Sequence, residues 1–233
     1  MYEAVYAHPD GDSTVARQAL TAADHGFEGI VVRNHGDEAA DYDGEAIADE
    51  YGVDVVDGIE LRPDDRGRAG GLVGNYRSKR TIVAVRGGDR SINRFAVEHP
   101  AVDVLAHPMR GDGDFNHVLA KAAAENGVRV EFALGRVLRD SGGSRVRALQ
   151  DLRKLRELVA DADAPFVVSA GPTTHLQLRA PRELVALGEQ IGFAAETVGE
   201  GLREWGRLAE RNRRRTSESF VEPGVRIEDE NDA

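Results

Sequence analysis

Five residues that can bind a metal ion or move a proton stand at the ends of separate apolar runs. His8 follows "YEAVYA", His35 closes "GIVVRNH", Glu60 follows "VDVVDGI", His107 closes "VDVLAH", and Glu131 lies within "VRVEFA". Imidazole and carboxylate together suit zinc, manganese or iron. Ions held in this way activate water and clamp a phosphate. The plainer reading is that His8, His35 and His107 are hydrogen-bonded residues at strand ends with no metal, since neutral histidine can satisfy buried polar groups by itself. His25, His99, His117 and His175 fall in ordinary helix and loop patterns. Other chemistry has less behind it. The chain has no cysteine, no GxSxG elbow and no Walker loop, and "GRAGG" lacks the Gly-Lys-Ser/Thr ending.

The elements that must carry these residues recur at a steady interval. Strand-like runs span 2–7, 28–33, 53–59, 81–86, 102–106, 128–133 and 165–170. Helix patterns lie between most of them. Ser13 or Asp12 caps one that closes at Gly26, and Asn116 caps another that closes at Gly127. Ser144 caps the longest, which carries Leu149, Leu152, Leu155 and Val159 on one face. Pro181 suits the first turn of a helix ending near Gly192. A last helix runs from about Ala195 to Arg214, with Val198, Leu202, Trp205 and Leu208 as its stripe. Strand–helix alternation of this kind means parallel βα units, in an open doubly wound sheet or a barrel. Strand ends converge on one mouth in a barrel and spread along an edge in an open sheet. Five polar residues at five strand ends therefore favour an α/β fold with an incomplete or distorted TIM-like barrel of about seven parallel strands and surrounding helices. The single domain is expected over 1–215, followed by an acidic, disordered tail at 216–233.

This arrangement resembles the polymerase-and-histidinol-phosphatase (PHP) superfamily of metal phosphoesterases. Members begin with His-x-His on the first strand. They continue with Thr-Asp-His after the second, Gly-x-Glu after the third and a later histidine, and end on Asp-x-His. Here Tyr6 and His8 occupy the first pair, and "RNH" (33–35) puts Asn34 where a carboxylate is expected. "GIE" (58–60) and "LAHP" (105–108) fit, whereas "SAGP" (169–172) has lost both acid and imidazole. A site short of that many donors holds metal weakly. His8, His35, Glu60, His107 and Glu131 are accordingly read as vestigial candidates. A metal-dependent phosphoesterase of the PHP superfamily is the alternative.

Composition adds a second theme. The 233 residues carry 41 acids against 30 Lys plus Arg, for a net charge of −11, and Lys79, Lys121 and Lys154 are the only lysines. An acidic surface that keeps arginine is expected of a salt-rich cytoplasm. There the Debye length falls to about 3 Å at 1 M, and local clusters say more than the sum. No apolar run is long enough to span a bilayer and no signal-peptide pattern is present, so no membrane and a cytoplasmic location are expected. Residues 62–80 read as a glycine-rich loop with six basic residues against two acids. That segment places Arg66, Arg68, Arg77, Lys79 and Arg80 around Tyr76, and "RGGDRSINR" adds Arg86, Arg90 and Arg94. Arg110 and Arg136 follow later strands, and several of these positions are expected to share one end of the barrel. Guanidinium binds phosphate bidentately, and an interleaved tyrosine can stack on a base. All eleven are candidates for binding RNA or a partner.

Three segments carry a second resemblance: "VRGGDRSINRFAVEHPAVDVLAHP" (85–108), "NHVLAKAAAENGVRVEF" (116–132) and "FVVSAGPTTHLQLRAPRELVALGEQIG" (166–192). In this order they resemble the archaeal ribonuclease P protein component 3 family, over roughly residues 1–215. The resemblance implies a PHP-like barrel that is not itself catalytic, in a salt-adapted archaeon. It implies a subunit of the endoribonuclease whose RNA removes the 5′ leader of precursor tRNA, using magnesium bound to that RNA and no cofactor on this chain. The implied partners are the ribonuclease P RNA, precursor tRNA indirectly, the Pop5-like component 2 and other subunits.

Overall fold

The computed structural model describes residues 1–111 and 114–216, together with the backbone of 220–222 and 225–226. All seven expected strands form: β1 (Tyr2–Val5), β2 (Gly29–Val32), β3 (Asp54–Leu61), β4 (Ile82–Arg86), β5 (Val104–Ala106), β6 (Arg129–Ala133) and β7 (Phe166–Ser169). They pair in chain order and every pair is parallel. The helices are α1 (Val15–Asp24), α2 (Gly44–Tyr51), α3 (Arg66–Arg77), α4 (Arg90–Glu98), α5 (His117–Asn126), α6 (Gly135–Arg139), α7 (Gly142–Asp161), α8 (Pro181–Ile191) and α9 (Ala195–Thr216). The result is the expected incomplete TIM-like barrel. The expectation of a disordered tail falls largely outside the described residues.

Alternation along each strand divides the core in two. Val5, Ile30, Val32, Val55, Val83, Val85, Val130 and Phe132 face the helical shell. The intervening residues Ala4, Val31, Val56, Ile82, Ala84, Val104 and Val167 fill the interior. Register holds the inner layer level, since Ala4 lies opposite Val31 and Val31 opposite Val56. The interior residues are small, and Trp205, Leu208 and Ala209 of α9 complete their packing.

Helix α9 also closes the seam, because β1 and β7 share no ladder. The Trp205 indole donates to the Val168 carbonyl at 2.9 Å. The Glu3 carboxylate accepts the Ala170 amide at 2.9 Å, and the Tyr6 amide donates to the Pro172 carbonyl at 3.0 Å. These bonds satisfy edge groups that would otherwise be orphaned in a buried strand. From the seam the helix crosses the strands' N-terminal ends. Asn212 donates to the Thr81 carbonyl at 2.8 Å, and Arg213 pairs with Asp54 at 2.8 Å.

Three local expectations are corrected. Residues 66–77 are helix α3, not loop. Asp65 caps it by accepting the Arg68 amide, Ala69 and Val73 are buried, and a parallel β3–β4 crossover needs such an element despite four glycines. Helix α1 is capped by Thr14, not Ser13 or Asp12. Helix α7 starts at Gly142 after Ser141, one turn's worth before Ser144.

Candidate functional site at the barrel mouth

Inward-facing positions at the C-terminal strand ends are polar. Glu60, Glu131 and Ser169 are all fully buried, and Arg33 is 1% exposed. Their pattern continues the inner apolar layer by two residues, from Val31 to Arg33 and from Val167 to Ser169. The Arg33 guanidinium lies 2.6 Å from Glu131 and 3.6 Å from Glu60. It is sandwiched between the rings of Tyr6, at 5.0 Å, and Trp205, at 5.6 Å.

The remaining valences of both carboxylates go to protein donors. Glu60 accepts the Tyr6 hydroxyl at 2.6 Å and lies 3.5 Å from the Arg86 Nε. His35 Nε2 stands 3.2 Å from Glu60, and His107 Nε2 lies 3.8 Å from Glu60 and 3.9 Å from Glu131. Glu131 also accepts the Ser169 hydroxyl, and the His107 amide at 3.1 Å. Burial alone would raise both carboxyls. At Glu60 it is outweighed by His107, His35, Arg33 and Arg86, and at Glu131 by Arg33 and His107, so both pKa values are held below the ordinary carboxylate range. Burial holds His107 below the usual histidine value. At His35 burial acts the same way, but hydrogen bonds to Asp10 and Glu60 outweigh it and raise the pKa.

The five sequence candidates are therefore only partly assembled. His35, Glu60, His107 and Glu131 meet at the mouth. His8 does not, because its side chain is exposed and Tyr6 fills the inward position two residues earlier. Asn34 has a structural task instead: its Oδ1 accepts the Ala7 amide at 2.8 Å, and its Nδ2 donates to the Ala7 carbonyl at 2.6 Å and the Glu38 carbonyl at 2.9 Å. A carboxylate could not donate those two bonds. Asp10, His35 and Glu38 approach within reach of a common ion. However, His35 Nδ1 is already 2.6 Å from Asp10, and Arg62 lies 3.4 Å from the same carboxylate. The metals implied by the PHP resemblance do not fit this donor set. A buried guanidinium stands between the carboxylates a cation would bridge, and the lost ligands have become Tyr6, Asn34 and Ser169.

Sequence reading overlooked Arg33, which is one basic residue at the end of an apolar strand. The signal was its place two residues after Val31, on the inward face.

The arginines separate into groups, of which one shares the mouth and the others lie elsewhere on the barrel. Arg77 and Arg80 belong to the barrel's N-terminal end. Arg77 pairs with Asp103 at 2.5 Å and donates to the carbonyls of Arg80 and Thr81, while Arg80 pairs with Asp57. Both are structural clamps. Tyr76 donates to the Gly36 carbonyl at 3.0 Å and is half-buried against the core, whereas Lys79 is exposed nearby. Arg66, Arg68, Arg90 and Arg94 stand exposed along α3 and α4, in solvent-facing pairs with Glu98, Asp65, Asp114 and Glu98. Such pairs contribute little and exchange readily.

Arg86, Arg110 and Arg136 do reach the mouth, and there they join Arg139 and Arg147. All five line a cavity of about 580 Å³ together with Tyr6, His107, Glu131 and Asp151. Arg139 donates to the Ala170 and Gly171 carbonyls. The Arg110 and Arg147 guanidinium groups have no hydrogen bond or ion pair among the described residues. Repulsion from Arg86 holds the Arg110 pKa below the usual arginine value, which marks a local surplus of positive charge. The Arg110 loop is placed by "RGG": a Cβ on Gly88, at φ +111°, would meet the Arg110 carbonyl at 2.7 Å, and one on Gly87 would collide with Asn93 Oδ1. Buried Asn93 accepts the Gly88 amide at 3.0 Å and donates to the Pro108 carbonyl at 3.0 Å, tying the two loops together.

Comparison with known proteins agrees with this architecture. The family model described as RNase P subunit p30 matches residues 1–217. A Haloarcula marismortui protein named ribonuclease P protein component 3 is 73% identical over 232 residues, covering 100% of this chain and 99% of its own. A Methanosarcina acetivorans protein of the same name is 37% identical over 200 residues, covering 85% of this chain and 83% of its own. A chain from the cryo-EM structure of archaeal ribonuclease P with mature tRNA matches with a TM-score of 0.84 at 22% identity, over 100% of both chains. A histidinol phosphate phosphatase from Lactococcus lactis, complexed with zinc, L-histidinol and phosphate, matches with a TM-score of 0.56 at 12% identity, over 82% of this chain and 94% of its own. At those identities the two structures establish a shared barrel frame. The sequence matches go further: the chain belongs to the RNase P subunit p30 family, whose archaeal members are named ribonuclease P protein component 3.

Proposed function

We propose that this protein is a subunit of ribonuclease P and supports the RNA that removes the 5′ leader from precursor tRNA. The observation that carries this is the family match over residues 1–217, joined by relatives of that name along essentially the whole chain. The complex is an endoribonuclease, and the catalyst is its RNA, with magnesium held by that RNA. The chain's own task is to bind and orient RNA helices. Its partners are the ribonuclease P RNA and the Pop5-like component 2, with precursor tRNA engaged through the complex.

The arginines suited to RNA are those the fold leaves uncommitted. Arg110 and Arg147 at the mouth have no ion pair among the described residues, and Arg86, Arg136 and Arg139, each partly engaged in the fold, surround the same cavity. Arg66, Arg68, Arg90 and Arg94 form a second exposed group. Phosphate relieves repulsion among such groups and binds the guanidinium fork in two places. Arg77 and Arg80 are not in this set, because their donors are spent inside the fold.

The test is reconstitution of precursor-tRNA cleavage from the RNA and all protein subunits, at limiting magnesium. Arg110→Ala/Arg147→Ala is expected to raise the protein concentration needed for half-maximal cleavage about a hundredfold, as removal of roughly two charge-assisted hydrogen bonds would. Cleavage unchanged by that variant, and by alanine at Arg68, Arg90 and Arg94, counts against these RNA contacts.

A further inference from the structure

Two fully buried carboxylates in one barrel need a compensating cation, since an unpaired buried charge is strongly unfavourable. In a metal phosphoesterase the ion supplies it. Here Arg33 lies between them, 2.6 Å from Glu131 and 3.6 Å from Glu60, while Arg86 stands 3.5 Å from Glu60 alone. Its side chain rises from β2, inside the barrel, and its guanidinium is stacked between Tyr6 and Trp205. We infer that Arg33 is a built-in replacement for the metal, and that its charge is what keeps divalent ions out of the part of the ligand set that remains.

Four donors remain. Glu60, Glu131 and His107 gather at the Arg33 guanidinium and His35 meets the other oxygen of Glu60, and carboxylate with imidazole is the donor mixture that zinc and manganese take. Removing the positive charge leaves two anions and two imidazoles facing the same space. A divalent ion restores the balance that Arg33 supplied. Of the two arginines beside these carboxylates among the described residues, Arg33 is the one set between both. Arg86 lies at the rim, with its buried Nε 3.5 Å from Glu60 and its terminal nitrogen 2.9 Å from His35 Nε2, but it forms no ion pair with Glu131 among the described residues. Two of the four donors, His107 and Glu131, line the arginine-rich cavity, which gives a hydrated ion a route inward.

This inference rests on the reading that the chain brings no metal of its own, and the experiment separates the two. Wild type and Arg33→Gln are each incubated with manganese chloride or zinc chloride, desalted, and assayed for bound metal and for thermal melting. The expected result is less than about 0.1 equivalent on wild type and about one on Arg33→Gln, with a metal-dependent rise in melting temperature only in the variant. Tight metal on wild type overturns the reading itself. Metal-free wild type with an equally metal-free, folded Arg33→Gln overturns the inference alone.

If Arg33→Gln is insoluble, recovery of folded protein on refolding with either metal supports the inference. Without such recovery, Arg33→Gln/Glu131→Gln decides, because it removes one charge of each sign. Cooperative melting of this neutral pair supports charge replacement. Its failure to fold overturns it, and shows that Arg33 acts through shape and hydrogen bonding.

Discussion

The Glu3 carboxylate accepts the Ala170 amide at 2.9 Å, across the one junction of the barrel that lacks a strand ladder. The same group accepts the Gly171 amide at 3.4 Å and the Ala4 amide at 2.9 Å. An acid side chain thus does at this seam what backbone carbonyls do elsewhere in the sheet. Burial pushes the Glu3 pKa up to about 7 from 4.5, with the amides and Arg33 opposing the rise.

A pH dependence follows from that shift. The folded state binds a proton that the unfolded state has released, so Glu3 favours folding most below about pH 4.5. Its contribution declines as pH rises and is lost above about 7. The full change is about 3 kcal/mol. Urea unfolding of wild type and Glu3→Gln at pH 5 and pH 8 checks this, with wild type losing more stability between the two. Parallel pH profiles in the two proteins would count against it.

Trp205 holds the other edge of the seam through the Val168 carbonyl, at 2.9 Å. Trp205→Phe keeps most of the ring but leaves that buried acceptor unpaired, at a cost of about 1–3 kcal/mol. Trp205→Ala also empties the barrel floor and costs about 3–5 kcal/mol. Denaturant midpoints order the three proteins. A Phe variant as stable as wild type would show the seam bond to be dispensable.

Asp103 gathers Arg77 at 2.5 Å, Arg211 at 2.8 Å and Asn212 at 3.0 Å at the N-terminal ends of β4 and β5. Asp103→Asn leaves two arginines facing a neutral amide and costs about 3 kcal/mol. Arg110→Ala/Arg147→Ala removes no hydrogen bond or ion pair of these side chains among the described residues and stays within about 0.5 kcal/mol of wild type. Melting temperatures that fail to separate these variants would remove the distinction between clamp arginines and free ones.

Salt dependence separates the same two groups by another route. Removing one arginine–phosphate pair lowers the slope of log affinity against log salt by about 0.7–0.9. Arg110→Ala/Arg147→Ala is expected to lower it by up to about twice that amount, whereas Arg77→Ala, where folded, leaves it unchanged. Filter binding of the ribonuclease P RNA across a salt series gives the slopes. Equal slopes in wild type and the double variant would place the phosphates elsewhere.

Much of the frame was legible before any coordinate. Short apolar runs at a steady interval marked all seven strands, Asn116 and Pro181 marked helix starts, and the stripe of Val198, Leu202, Trp205 and Leu208 marked the buried face of α9. These signals act over a few residues, through backbone periodicity and end groups, so a linear reading finds them. His35, Glu60, His107 and Glu131 were found in the same way, because strand ends in a parallel barrel share a mouth.

Other features depend on which distant residues meet. Arg33 looks like any strand-end arginine until barrel closure brings Glu131, nearly a hundred residues later, to 2.6 Å. Arg77 and Arg110 look alike in the chain, yet the first meets Asp103 at one end of the barrel and the second faces an open cavity at the other. Helix α3 forms across four glycines because a parallel crossover has to bury Ala69 and Val73. Local pattern set the elements. Contact between remote side chains, which depends on how the sheet curves and where it closes, assigned each charge its partner.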